Sequence, residues 1–217
     1  MTIELYVFPR SPRSFKVMAL ANHLDLGHAL RPLNAAQGEH KAPPYTAMNP
    51  NMRAPTLKDG AFVLWESDAI LQYLAAQRPE SGLLPRDERA RLDVTRWQFW
   101  ELAHWDPACV TFAFEYVAKR ALGLGEPDTA AVAKATPAFE TTARVLDAQL
   151  KGRKYVTGDT LTVADFSLGA WMTLAEMAHY PVAPFTEIKR WYATLAALPA
   201  WQKTFAQVAA ASAPAAA

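Results

Sequence analysis

The alternation of apolar and polar positions predicts a small mixed domain at the start of the chain. Residues 3–8 alternate with the period of a strand, a helical pattern follows, and a second strand is predicted over residues 28–33. Asp59 and Gly60 interrupt an apolar run and predict a hairpin, after which Glu66 opens a second helix. The order β-α-β followed by β-β-α makes the first two strands parallel and adds the hairpin as antiparallel strands.

The remainder of the chain has helical patterns only. From Arg86 onward no strand pattern recurs. Helices are predicted over residues 88–121, 129–150, 163–179, 187–197 and 200–210. We therefore expect an α/β domain in residues 1–80 and an all-α domain in residues 86–210. The alanine-rich tail from Ala209 to Ala217 is predicted to be frayed and without function.

The composition is that of an ordinary globular protein with no marked charge. The 217 residues are 51% hydrophobic and 20% charged, and the net charge is +1. This balance gives no reason to expect nucleic acid or an anionic membrane as a partner. Cys109 is the lone cysteine, which excludes an internal disulfide framework and fits a reducing cytoplasm. We find no secretory signal and no apolar run long enough to span a membrane.

The junction between the first strand and the first helix carries the strongest chemical signal. Ser11 and Ser14 stand three residues apart, at the spacing of two redox cysteines, but a hydroxyl cannot exchange with a disulfide. A hydroxyl can donate a hydrogen bond to a thiolate, and the free amides and the dipole of a helix N-terminus favour negative charge. The junction is therefore suited to holding a sulfur anion that another molecule supplies.

Two further motifs in the same domain favour the binding of a peptide. Pro55 is either an ordinary edge-strand residue or part of a cis peptide bond, which would turn the main chain of Ala54 outward to pair with an extended peptide. Either Ser67 or Asp68 is a candidate helix cap, and Glu66 precedes both. Glu66 and Ser67 would also suit an α-amino acid head group, with the carboxylate at Ser67 and the ammonium at Glu66. Both interpretations of the cap can hold together.

Three cations lie in the irregular part of this domain. His40 and Lys41 precede the predicted hairpin, and Arg53 stands beside Pro55. Taken alone, each is most simply a solvated loop residue, and their interest comes from sharing a short domain with Ser11. The sequence has no metal-ligand spacing, phosphate-binding loop or dinucleotide motif, so no metal is expected.

An aromatic stripe lies in the helical domain. Trp105, Cys109 and Phe112 share one face of a predicted helix, in which Pro107 is expected to produce a kink. The stripe is either an interdomain or subunit core or the wall of an apolar substrate pocket. Cys109 has no activating base nearby in the sequence, so we interpret it as a small buried apolar residue.

A second motif in the helical domain concerns folding. Thr162 and Asp165 have the spacing of a capping box, in which an N-cap hydroxyl and an acid three residues later bond each other's main chain. An apolar stripe follows them. We therefore assign this motif to folding and not to chemistry.

Over residues 3–205 the chain resembles the soluble glutathione S-transferases. The matching segments are the strand end through Ser11 and Pro12, Asn49-Pro50 with Arg53-Ala54-Pro55, Glu66-Ser67-Asp68, and Leu161 to Asp165. The resemblance implies a thioredoxin-like first domain with a cis-Pro55, a helical second domain, and a homodimer. Ser11 lies where serine-type members, the theta- and delta-like bacterial group, keep their thiolate-binding serine, and Ser14 is its competitor.

The resemblance also implies how glutathione would bind. Its cysteine would contact the main chain of Ala54, and its γ-glutamyl head would bind Glu66 and Ser67. A delta-like histidine shortly before the cis-proline is Met52 here, which leaves the glycyl contacts open. The further residues expected to line the bound tripeptide are Phe8, Ser14, His40, Lys41, Arg53 and Pro55.

The implied function is a glutathione transferase in which Ser11 stabilises the glutathione thiolate. The thiolate would attack a small hydrophobic electrophile. The residues expected to line the electrophile pocket are Phe8, Trp105, Cys109 and Phe112. The alternatives are a non-catalytic module that binds glutathione or another ligand, and a glutathione-dependent isomerase, dehalogenase or peroxidase.

Overall fold

A four-stranded mixed sheet forms the centre of the first part of the protein. The computed structural model describes residues 3–211. The strands are β1 (Ile3–Val7), β2 (His28–Pro32), β3 (Thr56–Asp59) and β4 (Phe62–Trp65). Their order is β2-β1-β3-β4, with β1 and β2 parallel and the other two pairs antiparallel. The predicted β-α-β and β-β-α order is confirmed, and the hairpin turns at Gly60, whose φ of 61° favours glycine.

The helices follow the predicted pattern with small shifts at their ends. They are α1 (Pro12–His23), α2 (Pro43–Thr46), α3 (Ser67–Ala76), α4 (Glu88–Trp100), α5 (Asp106–Phe112), α6 (Lys119–Leu122), α7 (Thr129–Leu150), α8 (Val163–Gly169), α9 (Thr186–Ala196) and α10 (Pro199–Ala211). Short 3₁₀ helices cover Glu39–Lys41, Pro79–Ser81 and Ala170–Leu174. The helix predicted over residues 163–179 is therefore shorter than expected.

The irregularity predicted at Pro107 takes the form of a wider helical turn. A π-helical segment, Glu101–Trp105, joins α4 to α5 directly before this proline, and a second one, Ala113–Ala118, joins α5 to α6. Proline has no N–H to offer the carbonyl four residues earlier, so the regular hydrogen-bond pattern cannot continue through it. A π-turn is one of the ordinary ways in which a helix absorbs such a break.

The chain divides into two compact units. The first unit comprises the residues up to Ser81 together with those from Ala196 onward, and the helical unit comprises Gly82–Leu195. The first division falls inside the linker expected between residues 80 and 86. The second division corrects the expectation that the helical domain continues to residue 210, because α10 belongs to the first unit.

The last helix joins the first unit because its apolar face packs on α1. The ring of Phe15 lies 5.2 Å from that of Trp201. At the other end of α1, the side-chain amide of Asn22 donates to the hydroxyl of Thr204 at 2.8 Å. Because α10 packs on one side and α3 on another, α1 is buried along most of its length.

The C-terminal helix ends later than the sequence suggested. It continues to Ala211, so the first residues of the alanine-rich tail are helical and not frayed. The rest of the predicted tail lies outside the described residues. Within residues 3–211, no helix is both long enough and apolar enough to cross a membrane.

Candidate functional site

Ser11 stands at the N-terminus of α1, between the end of β1 and the helix. Its amide donates to the carbonyl of Phe8 at 2.9 Å, which closes the turn that leads out of the strand. The half-buried Ser11 side chain makes no capping hydrogen bond to the helix, and no acidic residue lies in the first turn. Its hydroxyl is therefore available beside the positive end of the helix dipole.

Ser14, the competing serine, has a structural partner. Its side chain is 0% exposed. Its hydroxyl oxygen accepts a hydrogen bond from the amide of Phe8 at 3.1 Å. Ser14 thus braces the turn from β1 into α1 and does not face solvent.

The main chain at the start of α1 corrects one expectation. The amides of Ser14 and Phe15 donate to the Ser11 carbonyl at 3.0 and 2.8 Å, and Pro12 has no N–H. The expectation that the first amides of this helix are free donors is therefore wrong at these positions. What the helix end offers is its dipole together with the Ser11 hydroxyl.

The segment before β3 has the backbone geometry that the resemblance implied. The Ala54–Pro55 peptide bond is cis, which confirms that prediction. The ladders of β3 begin at Thr56, which pairs with Tyr6 and Trp65, so Ala54 takes no part in them. The main chain of Ala54 is therefore outside the sheet's own hydrogen bonding.

The start of α3 places an acid and a hydroxyl side by side. Glu66 occupies the N-cap position, so the expectation of Ser67 or Asp68 there is wrong. Glu66 is exposed and has a positive φ of 71°, a conformation that is uncommon for a residue with a side chain. Ser67 begins the helix and is buried. An unusual backbone held at a helix N-terminus is typical of a binding site.

A buried ion pair links α1 and α3. The ammonium of Lys16 lies 2.9 Å from a carboxylate oxygen of Asp68, and both side chains are almost fully buried. Asp68 follows Ser67 directly in the first turn of α3. The pair therefore fixes the relative position of the two helices that carry Ser11 and Glu66.

The three predicted cations differ in their surroundings. The ring of His40 stands edge-on to Phe8 with the centroids 5.2 Å apart, and its Nδ1 atom is buried with no hydrogen-bond partner in the described residues. Lys41 and Arg53 are exposed. The structure thus brings His40 and Phe8 into contact and leaves the other two cations at the surface. Among residues 3–211 there is no cluster of acidic, histidine and cysteine side chains that could hold a metal.

The aromatic stripe of the helical unit corrects the predicted substrate pocket. Trp105 and Cys109 are 0% exposed and Phe112 is 2% exposed. Both aromatic rings pack on Phe139, at 5.3 and 5.4 Å, and the indole N–H of Trp105 donates to the carbonyl of Leu168. These side chains therefore belong to the core of the helical unit itself, and not to a substrate pocket or to a core shared between domains or subunits.

The thiol of Cys109 is also unsuited to chemistry. Burial is the main cause that raises its pKa well above the ordinary value, and the neighbouring carboxyl groups of Asp106 and Glu101 act in the same direction. A thiol of this kind stays protonated and unreactive. This agrees with its interpretation as a small apolar core residue.

The sequence did not reveal a polar cluster beneath Ala54. Tyr45 and Asn49, which are 3% and 2% exposed, both bond the carbonyl of Arg53 and the hydroxyl of Thr56. The available signal was their spacing of four residues next to Pro50, which puts two polar side chains on one face of a helical turn. That signal is weak because α2 is too short to show a helical pattern.

The comparisons with known proteins agree with this architecture. Residues 1–76 match the family model "Glutathione S-transferase, N-terminal domain", and residues 104–199 match "Glutathione S-transferase, C-terminal domain". The chain is 34% identical over 213 residues to glutathione S-transferase 3 of Zea mays, and the alignment covers 95% of this chain and 94% of the relative. It is 29% identical to glutathione S-transferase D7 of Drosophila melanogaster, covering 87% of this chain and 82% of that one.

A solved structure extends the likeness to three dimensions. The structure of glutathione S-transferase-I bound with lactoylglutathione superposes with a TM-score of 0.86 at 25% identity, covering 95% of this chain and 99% of that one. The N-terminal family model covers the thioredoxin-like unit that contains the cis-proline, and the C-terminal model covers most of the helical unit. The chain belongs to the glutathione S-transferase family and is an enzyme of that family.

Proposed function

We propose that the protein is a serine-type glutathione transferase, of the theta- and delta-like group, that ionises the thiol of glutathione for attack on a small apolar electrophile. The contrast between the two serines carries this proposal. Ser11 holds a half-buried hydroxyl without a capping bond at the positive end of α1, whereas Ser14 is buried and accepts the Phe8 amide. Only the first of these hydroxyls is available to a ligand.

Glutathione binds in an extended conformation along the segment before β3. The main chain of Ala54 pairs with its cysteine as a short added strand. Its ammonium binds the exposed carboxylate of Glu66, and its γ-glutamyl carboxylate binds Ser67 at the N-terminus of α3. The residues that lie near its glycyl end are His40, Lys41 and Arg53.

Ser11 acts as a hydrogen-bond donor to sulfur and not as a base. A free thiol has a pKa near 8.5, so about one molecule in thirty is ionised at pH 7. The Ser11 hydroxyl and the α1 dipole lower this pKa by roughly two units, which corresponds to about 2.7 kcal/mol in favour of the anion. The thiol proton leaves to solvent when glutathione binds.

The chemical step needs only the thiolate and a positioned electrophile. A sulfur lone pair forms the new carbon–sulfur bond while the leaving group departs with the electron pair of the bond that breaks. Phe8, half-buried beside the site, offers an apolar surface for the electrophile. Holding the two reactants together supplies much of the remaining acceleration.

Calorimetry with glutathione tests this proposal, with S-methylglutathione as the matched control. Both ligands present the same peptide groups, but only glutathione has a thiol proton to lose. We expect glutathione to release a proton on binding, seen as heat that varies with the ionisation enthalpy of the buffer, and S-methylglutathione to bind without this dependence. The absence of any heat with glutathione at millimolar concentration would overturn the proposal. Binding with proton release but without turnover of any electrophile would identify a ligand-binding module.

We also propose that the enzyme is a homodimer in the cytoplasm. The support for the dimer is apolar surface on α4, where Leu92 and Phe99 stand seven residues apart and are both exposed. The support for the cytoplasm is the lone cysteine, which fits a reducing compartment. Light scattering on the eluting protein should give twice the chain mass, and Phe99→Glu should reduce it to one chain mass. A monomeric wild type would contradict this assembly.

A further inference from the structure

The polar cluster beneath Ala54 is a closed set of hydrogen bonds. The Tyr45 hydroxyl donates to the Arg53 carbonyl at 2.5 Å. The Asn49 side-chain amide donates one hydrogen to the same carbonyl at 2.8 Å and the other to the Thr56 hydroxyl at 3.0 Å. Since the only Tyr45 proton is already used, the 2.8 Å contact between the two hydroxyls is donated by Thr56. Every O–H and N–H hydrogen of the Tyr45, Asn49 and Thr56 side chains therefore has an acceptor.

The cluster also holds the loop that leads to Ala54. The Asn49 side-chain oxygen accepts from the amide of Asn51 at 3.0 Å and from its side-chain nitrogen at 3.2 Å. The other end of the segment is fixed because Thr56 is fully buried and belongs to β3. The chain is therefore anchored on both sides of Ala54 and Pro55.

Because the peptide unit is planar, the fixed Arg53 carbonyl also sets the direction of the Ala54 N–H. The Arg53–Ala54 peptide is trans, because Ala54–Pro55 is the cis bond found in the described residues. In a planar trans peptide the carbonyl and the N–H point in opposite directions. Since the buried side chains of Tyr45 and Asn49 hold the Arg53 carbonyl toward the interior, the N–H of Ala54 points away from them.

We infer that Tyr45 and Asn49 are positioning residues that aim the Ala54 amide at the bound tripeptide. This inference rests on the proposed binding of glutathione along Ala54. Neither side chain touches the ligand, and neither takes part in ionising the thiol. They fix the direction of one main-chain donor, so their contribution appears in affinity for glutathione and not in the chemical step.

The Tyr45→Phe variant tests this role, because it removes one hydroxyl and leaves the Asn49 bonds in place. We expect the Kd and KM for glutathione to rise about fivefold, the loss of part of one hydrogen bond. At saturating glutathione kcat should stay within twofold of the wild type, and the pKa of the bound thiol should not change. Tyr73→Phe is the matched control, because it also removes one hydroxyl hydrogen bond, to Asp59 at 2.8 Å, in the same unit.

A second measurement needs no variant. Hydrogen exchange of the Ala54 amide should be fast in the free enzyme and slow with S-methylglutathione bound. An amide that is already protected in the free enzyme would overturn the inference.

The outcomes separate this inference from the proposed function. If wild type shows no binding of glutathione, both are wrong. If wild type binds and Tyr45→Phe binds equally well, or if Tyr73→Phe weakens binding as much, only the inference is wrong. A fall in kcat together with a raised thiol pKa in Tyr45→Phe would also overturn it, because the residue would then act on sulfur.

Discussion

Ser11 and Glu66 of the first unit and Asp165 of the helical unit use their polar groups in opposite ways. In the described part of the first unit, the side chains of Ser11 and Glu66 make no hydrogen bond, although each stands at a helix N-terminus where donors and acceptors are usually satisfied. In the helical unit, Asp165 is buried and bonds the amide of Val156, the amide and hydroxyl of Thr162, and the indole of Trp191. The difference separates groups kept for a ligand from groups used for folding.

The same contrast holds for aromatic and sulfur-containing side chains. Phe8 of the first unit is half-buried and contacts a histidine whose ring nitrogen has no partner in the described residues. Trp105 and Cys109 of the helical unit are sealed in its core. Residue type alone therefore did not distinguish a site from a core, and the burial of each side chain did.

The largest expected effect is the loss of stability when Asp165, the hydrogen-bonded buried acid of the helical unit, is removed. Asp165→Ala leaves buried N–H donors of Val156, Thr162 and Trp191 without an acceptor. We expect the free energy of unfolding to fall by about 4 kcal/mol, since several unsatisfied buried donors each cost about 1–3 kcal/mol and relaxation recovers part. Chemical denaturation measures this loss. An unfolding free energy within 1 kcal/mol of wild type would contradict the assignment of Asp165 to folding.

A pH titration of stability sharpens the same assignment. Burial raises the pKa of Asp165 from 3.8 to about 6, while the donated hydrogen bonds act in the opposite direction. A carboxyl with a raised pKa in the folded state binds its proton more tightly there, so its contribution is fully present below about pH 4 and is lost as pH rises through about 6.

The contribution of Asp165 to the free energy of unfolding should fall by about 3 kcal/mol between pH 4 and pH 7, as expected for a shift of about two pKa units. Asp165→Asn cannot titrate and serves as the reference for every other group. The difference in unfolding free energy between wild type and Asp165→Asn should therefore favour wild type less at pH 7 than at pH 4. A difference that does not vary with pH would contradict the raised pKa.

The unsatisfied hydroxyl of the first unit predicts a kinetic effect. Ser11→Ala removes the donor to sulfur but leaves the α1 dipole, and we expect kcat/KM for conjugation at pH 7 to fall about tenfold, because a smaller fraction of the bound thiol is ionised at that pH. Unfolding free energy should change by less than 1 kcal/mol, because the hydroxyl makes no capping bond. Ser14→Ala should show the reverse, with a stability loss and a smaller kinetic effect, because its oxygen accepts the Phe8 amide.

The smallest expected effect concerns Cys109, which lies in the core and not in a substrate pocket. Cys109→Ala should change KM for any electrophile by less than twofold, because Cys109 is 0% exposed. Native enzyme should also resist thiol reagents, since burial raises the pKa of this thiol. Steady-state kinetics and a thiol titration check both. A large and electrophile-dependent change in KM would return Cys109 to the substrate site.

Short-range patterns predicted most of the first unit. Alternation and the Asp59-Gly60 signal gave the strands of the sheet, and the strand-to-helix junction located Ser11. The packing of α10 on α1 could not be read from sequence, because it depends on contacts such as Asn22 to Thr204 across most of the chain. The role of Tyr45 was hidden for the same reason, since its partners are main-chain atoms that only the fold brings near.

The helical unit shows where periodicity reaches its limit. A stripe such as Trp105 and Phe112 has the same spacing whether it faces a core or a cavity, so the pattern left both interpretations open. The contact with Phe139 decides between them. The capping box was predictable because Thr162 and Asp165 are neighbours in sequence as well as in space.

The ionisation of bound glutathione in wild type and in Ser11→Ala is the most direct test of the account. The near-ultraviolet absorbance of the thiolate, followed against pH in the saturated complex, gives the pKa of the bound thiol. We predict a pKa about two units below that of free glutathione in wild type and a pKa between that value and the free value in Ser11→Ala, in which the α1 dipole remains. The same lowered pKa in both proteins would show that another group stabilises the sulfur.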